Sequence, residues 1–220
     1  MAVQFAILDE KQLREARQSL AAAEFHDGGL TAGAAARPAK NNDQARGDDP
    51  EIIALGRRIR LAMEAHANVR AAVRPVGWSR LLFSRYRPGQ HYGPHTDNAV
   101  VYDSSGGPLR TDMSFTLFLS APESYEGGAL RIRDPGGERE FRPPAGTAVF
   151  YPTGQIHSVT PVTSGLRLAC VGWIQSAIRR ADQREVLADL DTIRNGEPLH
   201  ENALLLDKAI GNLLRMWGEA

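Results

Sequence analysis

The triplet His95-Thr96-Asp97 places a histidine and a carboxylate two residues apart. In an extended strand, side chains at positions i and i+2 point to the same side, so this pair can share a metal ion. His157 lies on a separate predicted strand after Tyr151-Pro152 and can supply a third ligand. Two histidines and one carboxylate form one face of an octahedron in non-haem Fe(II) sites that activate oxygen. The alternative is an accidental triplet and an ordinary, partly buried His157.

Arg167 is the second residue with a chemical signature. It lies ten residues after His157, at the start of a predicted strand over Leu166–Gln175. Alternation places it on one strand face with Ala169, Val171 and Trp173. A cation on such a face needs an anion, because an unpaired buried charge is costly, and the planar guanidinium suits a carboxylate. That anion is either a bound ligand or the partner in a structural salt bridge.

Three zones of the chain must position these residues. Residues 1–77 are predicted to be mostly helical, with a loop over residues 27–50, and to support the rest. Residues 78–176 are predicted to form the β core that carries the chemistry, and residues 177–220 a helical extension. Asp9 with Gln12 predicts a capping box for the first helix, and Asp49-Pro50 predicts the start of the second. In the third zone, the predicted buried stripes are Val186, Leu187, Leu190 and Ile193, then Leu206, Ile210, Leu213 and Trp217.

In the middle zone, the hydrophobic pattern no longer has the period of a helix. Short alternating or apolar runs are separated by Gly, Pro, Asn and Asp clusters, which predicts a β-sandwich or barrel. The runs are Ser79–Tyr86, Met113–Ser120, Ala129–Arg133, Thr147–Tyr151, His157–Val162 and Leu166–Gln175. Gly106-Gly107 indicates a loop after the metal triplet, which either covers the site or simply connects two strands.

Composition narrows the class of protein. The chain has 220 residues with 26 basic and 26 acidic side chains, so its overall charge gives no reason to expect nucleic acid or a membrane surface as partner. Cys170 is the single cysteine and cannot form an intramolecular disulfide. The N-terminal residues lack the pattern of a signal peptide, and no run approaches transmembrane length. We therefore expect a soluble, cytoplasmic protein.

The combined motifs resemble a known family. Tyr86-x-x-Gly89-x-x-Tyr92-x-x-His95-x-Asp97, followed by His157 and Arg167, is similar to prolyl 4-hydroxylase-like 2-oxoglutarate dioxygenases. More closely, the chain resembles the bacterial PKHD-type hydroxylases over nearly its whole length. The segments that carry this likeness include Lys40-Asn41-Asn42, Phe83-x-Arg85-Tyr86, Gln90-His91-Tyr92-Gly93, Arg110-Thr111-Asp112, Phe118-Leu119-Ser120, Tyr125-x-Gly127-Gly128 and Trp173-Ile174-Gln175-Ser176.

The resemblance implies an α+β protein with a double-stranded β-helix (jelly-roll) core flanked by N-terminal and C-terminal helices. It implies Fe(2+), 2-oxoglutarate and L-ascorbate as cofactors and molecular oxygen as a reactant. In the site, it implies His95, Asp97 and His157 as iron ligands. It also implies Arg167 and Tyr86 as the residues that bind the distal carboxylate of 2-oxoglutarate, although lysine is usual at the Arg167 position. Tyr92 and Trp173 match aromatic positions of the catalytic pocket, with core aromatics as the alternative.

Two other functions stay open on the sequence. One is a cupin-like metalloenzyme with the same ligands but no 2-oxoglutarate, and the other is a non-catalytic module that senses iron or 2-oxoglutarate. The substrate, small or peptidyl, is also open, as is a homo-oligomeric state. The family is associated with iron uptake, which fits either an enzyme or a sensor.

Overall fold

Two antiparallel β-sheets dominate the structure, a computed structural model that describes residues 2–33, 36–103, 105–134, 136–196 and 202–219. The helices are α1 (Glu10–Ala22), α2 (Pro50–Ala65), α3 (Ala67–Val73), α4 (Ala181–Gly196) and α5 (Ala203–Trp217). The strands are β1 (Val3–Ala6), β2 (Phe25–Asp27), β3 (Lys40–Asn41), β4 (Asp43–Ala45), β5 (Pro75–Trp78), β6 (Leu82–Tyr86), β7 (His91–His95), β8 (Val100–Tyr102), β9 (Pro108–Arg110), β10 (Met113–Phe118), β11 (Tyr125–Gly127), β12 (Leu130–Asp134), β13 (Gly137–Phe141), β14 (Thr147–Pro152), β15 (His157–Val159), β16 (Val162–Gly165) and β17 (Arg167–Ser176).

The larger sheet has eight strands. Its order is β1-β14-β10-β17-β6-β4-β2, with β5 also paired to β17. The smaller sheet has the order β13-β12-β15-β7-β3; β8-β9 form a hairpin, and β11-β16, which are distant in sequence, form another two-stranded pair. Residues from both sheets line one cavity, which is the arrangement expected of a jelly roll. The predicted α+β class is therefore confirmed.

The N-terminal helices cover the larger sheet through one continuous core. Both predicted helix starts are confirmed: Asp9 and Gln12 exchange capping hydrogen bonds, and Asp49 caps α2 ahead of Pro50. The α2 stripe, which includes Ile59 and Met63, packs into the core with residues of the sheet. Apolar burial along one helix face accounts for this layer.

The predicted loop over residues 27–50 is only partly correct. Three short strands lie in or beside it: β2, β3 and β4, of which β4 pairs with β6 and β3 pairs with β7. Their sequences, FHD, KN and DQA, have no apolar alternation. They are strands because an existing sheet edge supplies their hydrogen-bond partners, which local sequence does not reveal.

The C-terminal helices pack against each other and form a small cluster of their own. Leu187 and Ile210 are buried there, next to Leu213, so the second predicted stripe is confirmed. In α4 the prediction was wrong for Val186 and Ile193, which are 44% and 63% exposed. The buried face of α4 instead follows Arg184, Leu187 and Asp191, at i, i+3 and i+7. Two of these positions are charged, so hydrophobicity alone misplaced the stripe.

Candidate metal centre

His95 and His157 are brought together by strand pairing. They are direct register partners on β7 and β15, and their ring centres lie 4.2 Å apart. Asp97 lies two residues after the end of β7, and its carboxylate lies beside both imidazole rings. One potential ligand atom from each of the three residues lies within 4.8 Å of the other two. This distance suits three ligands of one small cation.

Backbone carbonyls orient both imidazole rings. Nδ1 of His95 lies 2.8 Å from the carbonyl oxygen of Gly93, and Nδ1 of His157 lies 3.0 Å from that of Gln155. A carbonyl oxygen can only accept, so each Nδ1 carries a proton and Nε2 is the nitrogen that can bind a metal. Both Nε2 atoms face Asp97, at 3.8 Å and 3.5 Å from its carboxylate oxygens. Such carbonyl-held histidines are typical metal ligands.

The electrostatics of the cluster favour a bound cation. Burial, followed by the neighbouring His157, lowers the pKa of His95 to about 4, so this ring is neutral at neutral pH. Its contact with Asp97 is therefore not an ion pair. Ser114 donates a hydrogen bond of 2.7 Å to Oδ2 of Asp97 and holds the carboxylate in place. No feature of the sequence distinguishes Ser114 for this role, because it lies on a strand where every residue is buried.

Arg167 is buried, and no described carboxylate forms an ion pair with it. Its residue exposure is 1%, and Nε and Nη2 have no hydrogen-bond partner among the described residues. The guanidinium lies over the rings of Tyr86 and Phe118, 4.9 Å and 5.1 Å from their centres. In the part of the chain that the structure describes, no carboxylate forms a salt bridge with Arg167, which removes the structural alternative. A buried arginine in this state fits an anionic ligand.

Gly128 makes room for Arg167. Its φ is +61°, and a Cβ atom there would lie 2.8 Å from Cδ of Arg167. A glycine is therefore required at this position both for the backbone conformation and for the close approach of the Arg167 side chain.

The aromatic residues line a cavity of about 260 Å³ beside the cluster. Tyr92 stacks on His95 with ring centres 3.5 Å apart, and Trp173 lines the same cavity. Tyr86 is the register partner of Arg167 and lines the cavity, with the Arg167 guanidinium 4.9 Å from the centre of its ring. Burial raises the pKa of Tyr86, so its hydroxyl stays protonated and can donate. The segment around Gly106-Gly107 is a hairpin, β8-β9, whose Val101 also faces the cavity.

Comparisons with known proteins agree with this geometry. Residues 81–175 match the model of the 2OG-Fe(II) oxygenase superfamily. A PKHD-type hydroxylase of Picosynechococcus is 43% identical over 97% of each chain, and one of Maricaulis maris is 43% identical over 97% of this chain and 96% of its own.

The chain belongs to the PKHD-type hydroxylases. It is therefore a 2-oxoglutarate-dependent dioxygenase of the Fe(II) oxygenase family. This family requires Fe(2+) and 2-oxoglutarate, together with dioxygen and a substrate to be oxidised.

Solved structures support the fold of this PKHD-type hydroxylase. A prolyl-4-hydroxylase of Pseudomonas putida aligns over 79% of this chain and 92% of its own, with 24% identity and a TM-score of 0.53. A prolyl hydroxylase of Trichoplax adhaerens, solved with a hypoxia inducible factor peptide, aligns over 84% and 86% with 14% identity and a TM-score of 0.59. Among the described residues, no helix has the length and apolar character needed to span a membrane.

Proposed function

We propose that this hydroxylase holds Fe(II) with His95, Asp97 and His157 and uses 2-oxoglutarate and dioxygen to hydroxylate a substrate. The observation that carries the proposal is the close cluster of three ligand atoms, with both imidazoles oriented by backbone carbonyls. Two neutral imidazoles and one carboxylate are the ligand set of non-haem Fe(II) oxygenases. They leave coordination positions open for a keto acid and oxygen.

Arg167 and Tyr86 are the proposed partners of the distal carboxylate of 2-oxoglutarate. The guanidinium has two unpartnered donor atoms and supplies the positive charge. The buried Tyr86 hydroxyl stays protonated and can donate a further hydrogen bond to the same carboxylate. The two residues would thereby fix the keto acid at the inner end of the cavity.

When bound, the iron and the keto acid supply the oxidising chemistry, and the chain positions and shields them. Ser114 donates a hydrogen bond to Oδ2 of Asp97, so Oδ1 would be free to bind the metal. Tyr92 packs flat on His95 and restricts rotation of that ligand. Trp173 narrows the cavity near the site and helps to exclude water. Tyr92 and Trp173 are thus proposed as pocket residues rather than as general acids or bases.

The wider function follows from family likeness alone. A substrate linked to iron uptake, small or peptidyl, is our prediction, and so are ascorbate as a reductant of oxidised iron, a cytoplasmic location and a homo-oligomer. The division into support, core and extension at residues 77 and 176 also stays a prediction.

Anaerobic titration tests the metal assignment. Fe(II) and 2-oxoglutarate should together produce a visible charge-transfer absorption in the wild-type protein, and oxygen should convert the keto acid to succinate. His157→Ala should lose both signals. His91→Ala, four residues before His95 on the same strand, is the matched control and should keep them.

Each rival function predicts a different result. A cupin-like metalloenzyme would bind iron without the 2-oxoglutarate signal, and a sensor would show the absorption but no succinate, even with substrate extracts. Wild-type binding and turnover by His157→Ala would refute the ligand assignment.

A further inference from the structure

Lys40 is a cation on the wall of the same cavity. It lies on β3, whose pairing with β7 makes Lys40 the register partner of Tyr92. Its Nζ lies 5.2 Å from the centre of the Tyr92 ring, and Lys40 lines the cavity together with Asp97 and His157. The sequence contains only two other lysines, Lys11 and Lys208, and both are exposed on helices. Lys40 is thus the one lysine placed near the metal cluster.

The ammonium group of Lys40 has donors available for a ligand. It donates one hydrogen bond of 2.9 Å, to Oγ1 of Thr31, whose hydroxyl lies 2.5 Å from Oε1 of Gln44. An ammonium has three donors, so two remain without an acceptor among the described residues. Within the same residues, Lys40 forms no ion pair with a carboxylate. Burial lowers its pKa to about 8, so at neutral pH the group is still mostly protonated.

The charge balance of the groups that line the cavity or would hold its ligands leaves one positive charge over; Asp27, whose charge also acts on the pKa of Lys40, does not line the cavity. Metal-binding histidines are neutral, so Fe(II) and Asp97 together carry one positive charge. Arg167 and Lys40 bring the total to three, and 2-oxoglutarate as a dianion reduces it to one. Asp97 and the keto acid are already engaged with the metal and Arg167. A substrate with a single negative charge would neutralise the remainder.

The geometry also limits where this anion can lie. Nζ of Lys40 is 5.2 Å from the Tyr92 ring centre, which is 3.5 Å from the His95 ring centre. Nζ is therefore no farther from the His95 ring than the sum of these two distances. An anionic group bound by Lys40 would therefore share the cavity with a carbon positioned for oxidation near the metal.

We propose that Lys40 is a substrate-binding residue, and that the substrate of this enzyme carries a carboxylate close to the position that is oxidised. The proposal rests on the proposed Fe(II) and 2-oxoglutarate site. The carboxylate belongs either to a small organic acid or to a peptide, as its free C-terminus or an acidic side chain. Lys40 recognises the same chemistry in each case.

Paramagnetic relaxation can test this without knowledge of the substrate. Mn(II) replaces Fe(II), 2-oxoglutarate is kept at saturation, and proton relaxation is measured for small probes. N-acetylglycine presents a free α-carboxylate, N-acetylaspartate N-methylamide presents only a side-chain carboxylate, and N-acetylglycinamide has no charge. The variants are Lys40→Met, which keeps an unbranched stem of similar length, Lys40→Arg, which keeps the charge, and the exposed control Lys208→Met. Whichever acid binds more tightly indicates the source of the carboxylate.

We expect Mn(II) to enhance the proton relaxation of at least one acid. Its effect on the relaxation of the amide should be at least about tenfold weaker. Lys40→Met should weaken binding of that acid by about tenfold or more, as the loss of a charge-assisted hydrogen bond requires. Lys40→Arg should retain much of the affinity for that acid, and Lys208→Met should bind it as tightly as the wild type does. Unchanged 2-oxoglutarate affinity in Lys40→Met would show that the rest of the site is intact. If that variant fails to fold, Lys40→Gln takes its place.

Three results would overturn the proposal: equal relaxation of acids and amide, undiminished acid binding in Lys40→Met, or no relaxation of either acid. A loss of 2-oxoglutarate affinity in Lys40→Met and Lys40→Gln would instead assign Lys40 to the cosubstrate. Failure of the wild-type protein to bind Mn(II) and 2-oxoglutarate would remove the proposed function, and this inference with it. The two failures are thus distinguishable before any acid is added.

Discussion

Replacement of Arg167 by methionine should separate ligand binding from protein stability. Arg167 is 1% exposed, and two of its nitrogen atoms have no hydrogen-bond partner among the described residues. Without 2-oxoglutarate, its charge is buried and uncompensated, and exchange of such a charge for an apolar side chain is often neutral or stabilising. The stacking on Tyr86 and Phe118 would be lost, which offsets part of this gain. The free energy of unfolding of the apo protein should therefore stay within about 1 kcal/mol of wild type or rise.

The same substitution should weaken the binding of 2-oxoglutarate. A hydrogen bond to a charged group is worth about 1.5–3 kcal/mol, which corresponds to roughly a tenfold to hundredfold change in affinity. Arg167→Met should lose at least this much, and Arg167→Lys should recover part, since it keeps the charge but not the planar fork. Iron affinity should change far less. The assays are anaerobic titration of 2-oxoglutarate into the Fe(II) protein and urea unfolding of the apo protein.

Arg184 provides the matched control, because it is a buried arginine with partners. Its Nη1 donates to the carbonyl oxygens of Ile178 and Arg179, at 2.7 Å and 2.8 Å. Arg184→Met should leave these buried acceptors unpaired and lower the free energy of unfolding by about 1–3 kcal/mol. Its 2-oxoglutarate affinity should match the wild type. Unchanged affinity in Arg167→Met, or a stability loss equal to that of Arg184→Met, would refute the assignment of Arg167 as an anion site.

Three further changes test the metal and the C-terminal helices. Ser114→Ala removes the hydrogen bond to Asp97 and should weaken Fe(II) binding by about 10- to 100-fold, measured by competition with a chelator; equal affinity would contradict its role. Saturation with metal at about 100 times its dissociation constant should stabilise the protein by about 2.7 kcal/mol, and EDTA should reverse this shift in a thermal scan. Leu213→Asp places a carboxylate in the C-terminal apolar cluster and should destabilise the protein by about 2 kcal/mol without weakening Fe(II) binding by the folded fraction. Leu204→Asp, at a position that is 82% exposed, should change stability little, and equal effects would contradict the packing of α5.

Much of the candidate site could be predicted from the sequence, because its signals are local. His95 and Asp97 are two residues apart at the end of a strand, where side-chain alternation places them on one side. Arg167 stands out because a cation on an apolar strand face requires an anion. The caps of α1 and α2 are equally local, since a side chain bonds a backbone group a few residues away. These features need no knowledge of the rest of the chain.

Other features depend on pairing between distant segments, and only the tertiary structure decided them. The register of β7 with β15 sets His157 opposite His95, at a separation that no spacing in the sequence specifies. The strand β3 has no strand pattern of its own, and its pairing with β7 alone brings Lys40 to the cavity. The sequence by itself thus indicated the residues that we propose to bind the metal and 2-oxoglutarate. The long-range hydrogen bonds of the sheets decided which of them meet, because a sheet edge accepts any segment whose backbone reaches it in register.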